Sequence, residues 1–93
     1  MICDVERKYY WNLSIMEEYF QHNGKIEGKY KKYHYNGQIE IECEYINGIR
    51  NGFYREYDID GSLRIEYYYI NGIVKGQIVK KRSNGEYKYY HIN

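Results

Sequence analysis

Proline and threonine are absent from this 93-residue chain, tryptophan occurs once and cysteine twice. No apolar run is long enough to cross a bilayer as a helix. Without proline there is no stiff Pro-rich linker, and no shift of composition divides the chain, which has the size of one small domain. Two cysteines, Cys3 and Cys43, cannot build the disulfide framework of a small secreted fold, so a reduced compartment is the simpler expectation. The opening Met-Ile-Cys-Asp-Val-Glu-Arg-Lys has no apolar core of a secretion signal. The expectation is a soluble, cytoplasmic protein, in the host cytoplasm if the source is a virus. Neither sign of charge dominates. Against 14 basic residues stand 13 acidic ones, which argues against a dedicated nucleic-acid or anionic-membrane binder.

What the chain does have is 15 tyrosines, many isoleucines, asparagines and lysines, and nine glycines. Tyrosine and isoleucine favour strands. The glycines stand at 24, 28, 37, then 48, 52, 61, then 72, 76, 85, and none falls outside this 24-residue series. Asn23, Asn47 and Asn71 precede the first glycine of each triplet, and Asn36, Asp60 and Asn84 precede the third. Asn-Gly and Asp-Gly pairs are strong hairpin signals, because a type I′ turn needs positive φ at both central residues. Internal repetition therefore sets the architecture.

Between the turns the pattern has period 2. Ile39-Glu-Ile-Glu-Cys-Glu-Tyr45 alternates apolar and charged residues, as a strand with one covered and one wet face requires. The run Leu63-Arg-Ile-Glu-Tyr-Tyr-Tyr69 repeats it. The preceding strand, Tyr30 to Tyr35 and again Tyr54 to Ile59, slips in parity between its two tyrosines, and a bulge there would return Tyr30 and Tyr33 to one face. Residues 9–22 form a degenerate first copy in which Leu13 replaces Gly37, followed by repeats 23–46, 47–70 and 71–93. Leu13 to Phe20 could form two helical turns, but the repeat register favours strand. The expected fold is all-β: a single-layer, curved antiparallel meander of 24-residue hairpins with seven or eight strands, forming one domain over residues 1–93.

The pattern Asn-Gly-x3-Gly-x-Tyr-x2-Tyr-x2-(Asn/Asp)-Gly is carried by Asn23, Gly24, Gly28, Tyr30, Tyr33, Asn36 and Gly37, and by Asn47, Gly48, Gly52, Tyr54, Tyr57, Asp60 and Gly61. It resembles the MORN repeat, in the variant of bacterial and giant-virus proteins, some of which are described as antitoxins. The third copy keeps its glycines but has Ile78 and Lys81 at the tyrosine positions. The resemblance implies a β-hairpin array that serves as a scaffold, a dimerisation surface or a protein-binding groove. The Tyr-x-Gly-x-Trp start of the more familiar MORN unit is absent, so a lipid role does not carry over.

Catalysis needs a nucleophile, a base or a metal cage with support around it. His22, His34, His91 and Cys43 lack the close pairing of a zinc site. By register Cys43 lies on the covered face, in the column of Tyr67 and His91, where a small buried hydrophobe is the better reading. Ser62 and Ser83 sit beside turns. The Gly-x3-Gly spacing does not match a phosphate loop. Glu40, Glu42 and Glu44 read as a solvated stripe paired with Lys29, Lys31 and Lys32 on the preceding strand. No catalytic residue, metal or cofactor is assigned, and the expectation is a protein that is not an enzyme.

That leaves surfaces. Trp11, Tyr33, Tyr35, Tyr45, Tyr57 and Tyr69 are expected to form one aromatic face. Tyr10, Phe53, Tyr68 and Tyr90 stand where other copies carry polar residues, which makes them candidate partner contacts. The expected function is a small protein-binding module presenting a tyrosine-rich sheet surface to a protein partner or to a second copy, through a sheet edge or the aromatic face. One alternative is an inhibitor or antitoxin, viral or bacterial, that occludes a host effector or toxin. Another is nucleic-acid or anionic-lipid binding by the basic, aromatic C-terminal strands.

Overall fold

The computed structural model describes residues 3–92. Eight strands follow one another: β1 (Asp4–Tyr9), β2 (Ile15–His22), β3 (Lys25–Tyr33), β4 (Ile39–Ile46), β5 (Ile49–Tyr57), β6 (Leu63–Ile70), β7 (Ile73–Lys81) and β8 (Tyr87–Ile92). Each is antiparallel to the one before, in one open sheet of order β1 to β8. The molecule measures 40 × 35 × 12 Å. Twelve ångströms is the thickness of one sheet with its side chains, since a second layer alone would add about 10 Å. The expected all-β, single-layer meander is what the chain forms.

Two kinds of turn alternate along it. At Asn23-Gly24, Asn47-Gly48 and Asn71-Gly72 both residues have positive φ, between 49° and 80°, the type I′ geometry that the Asn-Gly pair favours. The turns at the other end are longer. His34 N–H donates to Gln38 O (2.8 Å) and Gly37 N–H to His34 O (3.0 Å), and only Gly37 has positive φ. This is a three-residue turn closed by a left-handed residue, and it recurs at Asp58–Ser62 and Arg82–Glu86. Asn36, Asp60 and Asn84 act differently from the type I′ asparagines. Their side-chain oxygens accept the backbone N–H two residues on (2.9–3.0 Å).

The first repeat makes the same turn without its glycine. Leu13 N–H donates to Tyr10 O (2.9 Å) with Leu13 at φ 68°, and its side chain is 82% exposed. A leucine held left-handed costs about 1–2 kcal/mol, partly offset by the lower entropy of the unfolded chain. Leu13→Gly is therefore expected to stabilise the protein by about 0.5–1 kcal/mol. A urea titration checks it, and a lower midpoint would show that the leucine makes a contact worth more than its strain.

The bulges differ from expectation. They lie at Gly28, Gly52 and Gly76 (φ 77–101°), where the register to the preceding strand shifts, and opposite the ends of β1, β3 and β5, where Met16, Glu40 and Arg64 are the extra residues. Between Tyr30 and Tyr33, and between Tyr54 and Tyr57, the strands run regularly as far as these shifts. The two tyrosines of each pair therefore face opposite sides of the sheet. The physical reason is local: glycine adopts the left-handed conformation that this bulge requires, so the kink settles there.

Neighbouring hairpins are also tied across the strand ends. Tyr10 Oη donates to Tyr33 O (2.5 Å), His34 Nε2 to Tyr57 O (2.9 Å) and Tyr87 Oη to Leu63 O (2.7 Å). Lys81 Nζ holds Asp58 at 2.8 Å in the corresponding place. At the opposite ends Gly48 N–H donates to Ile26 O and Gly72 N–H to Arg50 O, so the second and third type I′ turns each rest on the hairpin before them. These ties matter because burial is slight: among the described residues only Cys43 and Tyr54 are buried.

Candidate functional site

One face is built around tyrosine. Glu6, Tyr19, Tyr30, Cys43, Tyr54 and Tyr67 are successive partners across β1 to β6, so their side chains share a face. Tyr19 stacks on Tyr30 (5.8 Å) and Tyr54 on Tyr67 (5.9 Å), while Tyr45 and Tyr69 meet their neighbours edge-on (6.1–6.3 Å). The Arg50 guanidinium lies 4.5 Å over the Tyr54 ring and 5.7 Å from that of Tyr69. Burial opposes its charge, but hydrogen bonds to the Tyr45 and Tyr69 hydroxyls outweigh that and keep it protonated. Burial, aided by the Glu17 carboxylate that accepts its hydroxyl, pushes Tyr30 well above the ordinary phenol range. Burial raises Tyr54 to about 12. Burial also pushes the Cys43 thiol up, which leaves it protonated and unreactive at neutral pH.

The other face is built of charge. Arg7, Glu18, Lys31, Glu42, Arg55 and Glu66 are successive partners across β1 to β6, so the sign alternates at every strand. Arg7 and Glu18 meet at 2.6 Å, as do Arg55 and Glu66, and Glu42 lies 3.9 Å from Arg55. Tyr57 stands on this face and donates to Glu42 (2.5 Å). Burial and that carboxylate together raise it to about 12. Of the expected carboxylate stripe, Glu42 belongs to this row and Glu44 flanks it. Glu40, at the β4 bulge, reaches Lys32 (3.6 Å) and His34 (3.5 Å) instead.

Beside this row the pattern is interrupted. Phe53 and Tyr68 are opposite each other on β5 and β6, with ring centroids 4.9 Å apart and 46% and 37% of their surfaces exposed. Arg55 covers one side of Phe53 at 4.4 Å. A shallow hollow next to the pair is lined by Lys29, Lys31, Glu42, Glu44, Phe53 and Arg55.

The expected aromatic face divides. Tyr45 and Tyr69 lie on the tyrosine face, Tyr33 and Tyr57 on the charged face, and Trp11 and Tyr35 in exposed turns at 90% and 62% exposure. Tyr33 and Tyr57 change sides because the bulges lie elsewhere. Trp11 and Tyr35 leave the sheet because the turn begins before them. Of the candidate partner contacts, Tyr10 is committed to tying two repeats together, the job His34 does in the next copy. Tyr90 is on the tyrosine face rather than in the Glu42 column. The last hairpin lacks the bulge of the earlier ones, so Ile78 pairs with Tyr90 instead of His91, and a one-residue slip reverses every side chain. Phe53 and Tyr68 are brought together as one exposed feature. Sequence reasoning did not pick out Arg50 or the alternating row. The row was visible in the charges of the repeats, but only correct strand pairing turns it into neighbours.

Among the described residues no group of three or more His, Cys, Asp or Glu is placed to hold a metal ion, and no helix is long and apolar enough to cross a membrane. The chain matches no family model, and no curated protein or solved structure matches it.

Proposed function

We propose that this chain is a protein-binding repeat module, of the kind that the MORN resemblance implies, and that its partner sits on the charged face over Phe53 and Tyr68. One observation carries the reading: on the face that bears the alternating charged row, Phe53 and Tyr68 form an exposed edge-to-face pair with the Arg55 guanidinium against it. Interfaces concentrate binding in a few aromatic and arginine side chains surrounded by polar contacts. Phe53, Tyr68 and Arg55 supply the first kind, and Lys29, Lys31, Glu42 and Glu44 the second. Most rings of the tyrosine face are engaged with one another, and the raised tyrosines hold neutral hydroxyls there. That face holds the sheet together.

The test is capture from a lysate of the source cells with tagged wild-type chain and with Phe53→Lys/Tyr68→Glu. The new charges face each other across the β5–β6 ladder, so circular dichroism and melting are expected to stay unchanged. The band captured by the wild type is expected to vanish. Equal capture by the folded double variant would remove this pair from the interface.

A further inference from the structure

The two outer strands carry an unused complementarity. On the tyrosine face Lys8, Glu17, Lys32, Ile41, Glu56, Ile65, Lys80 and Lys88 are successive partners from β1 to β8. The N-terminal end of this row pairs opposite charges, with Lys8 3.1 Å from Glu17. The C-terminal end does not. Lys80 and Lys88 are directly opposite each other, the other neighbour of Lys80 is Ile65, and both ammonium groups crowd the Tyr90 ring at 5.8 and 5.0 Å. Like charges directly opposite are unfavourable. Residues 71–93 hold five basic residues and one acidic one, Glu86, and among the described residues neither Lys80 nor Lys88 is in an ion pair.

The backbone shows what can approach. Arg82 N–H bonds Glu86 O at the head of the last hairpin, and Tyr10 N–H bonds Ser14 O at the head of the first. Hydrogen-bonded and non-bonded positions alternate from there. Even residues of β1 and β8 thus bond inward to the sheet, and Tyr87, Tyr89 and His91, like Val5, Arg7 and Tyr9, aim their backbone groups outward. Among the described residues no strand lies beyond either edge. A copy displaced along the sheet brings its β1 antiparallel to β8 with matching faces, as in the meander itself.

We propose that the protein assembles head to tail, the β8 edge of one copy receiving the β1 edge of a second. Of the registers that pair outward residue with outward residue, one places Tyr89 opposite Val5. It then sets Lys88 against Glu6, Glu86 against Lys8, Tyr87 against Arg7 and Tyr90 against Asp4. Two opposite-charge pairs and one cation–ring pair form, and the acid that Lys80 and Lys88 lack arrives from the second copy. Glu6 keeps its present partner, Gln21 (2.8 Å), because a carboxylate accepts several donors. Pairing β8 with another β8 over five residues or more brings no acid to either lysine, so the symmetric dimer is the poorer solution. The contact is heterologous and does not stop at two copies.

Sedimentation velocity over a wide concentration range tests this on the chain as it stands. The wild type is expected to grow beyond a dimer in steps of the 11.5 kDa chain. Glu6→Lys and Lys88→Glu are each expected to weaken association roughly tenfold or more, and the double variant to restore it. Lys8→Glu with Glu86→Lys repeats the exchange at a second pair, so misfolding of one variant leaves the test intact. Circular dichroism confirms each fold. A wild type that stays monomeric or stops at a dimer would overturn the proposal, as would exchanged pairs that fail to restore assembly.

Discussion

Tyr54→Ala is expected to cost about 3 kcal/mol and to lower the thermal midpoint by more than roughly 12 °C. Tyr54 is one of two buried residues among those described, and it sits where the sheet's aromatic contacts converge. It stacks on Tyr67, meets Tyr69 edge-on and lies under the Arg50 guanidinium. Removing the ring leaves a gap that a single layer cannot refill from a second sheet, and it strips Arg50 of its closest aromatic partner. Tyr89→Ala is the control. At 61% exposure that ring should change stability by no more than about 0.5 kcal/mol. Calorimetry on both variants decides the matter, and a Tyr54→Ala loss below about 1 kcal/mol would mean that the tyrosine row is not what holds the strands together.

The second large effect is loss of the fold in alkali. A phenol whose pKa is raised on folding is neutral in the native state at a pH where the unfolded chain already ionises. Its contribution is complete below the unfolded value near 10 and disappears as pH rises through the folded value. Burial raises Tyr54 and Tyr57 to about 12, and Tyr30 and Tyr33 also shift upward, with burial the first cause in each. For the nearly buried Tyr54 a rise of this size corresponds to about 2–3 kcal/mol, and the more exposed Tyr57 contributes less. Unfolding is therefore expected between pH 10 and 12, with tyrosinate absorbance at these rings and β-sheet circular dichroism changing together. Tyrosines that all titrate near 10 while the sheet signal persists would contradict the packing described for the tyrosine face.

Much of this fold could be read from glycine alone. Their positions give the repeat, the turns and, at Gly28, Gly52 and Gly76, the bulges. The sequence alternation does not place the bulge itself, because a parity slip between Tyr30 and Tyr33 looks the same whether the strand kinks between them or two wet faces each take a tyrosine. A one-layer sheet has two wet faces, so alternation does not name an inside. The Asn-Gly signal likewise could not distinguish Asn23 at positive φ from Asn36, whose side chain caps a longer turn. Tyr10 looked like a spare aromatic because its duty, a hydrogen bond to Tyr33 O, spans 23 residues and leaves no local mark. Phe53 and Tyr68 were legible as exceptions to the repeat. That they touch follows from strand register.

The most direct measurement is residue-resolved NMR perturbation of the labelled chain by the captured partner. Shifts are expected at Lys29, Lys31, Phe53, Arg55 and Tyr68, alternate positions of β3, β5 and β6 that share the charged face. Perturbation confined to Tyr45, Tyr54, Tyr67 and Tyr69 would place the partner on the opposite face and contradict the proposed site.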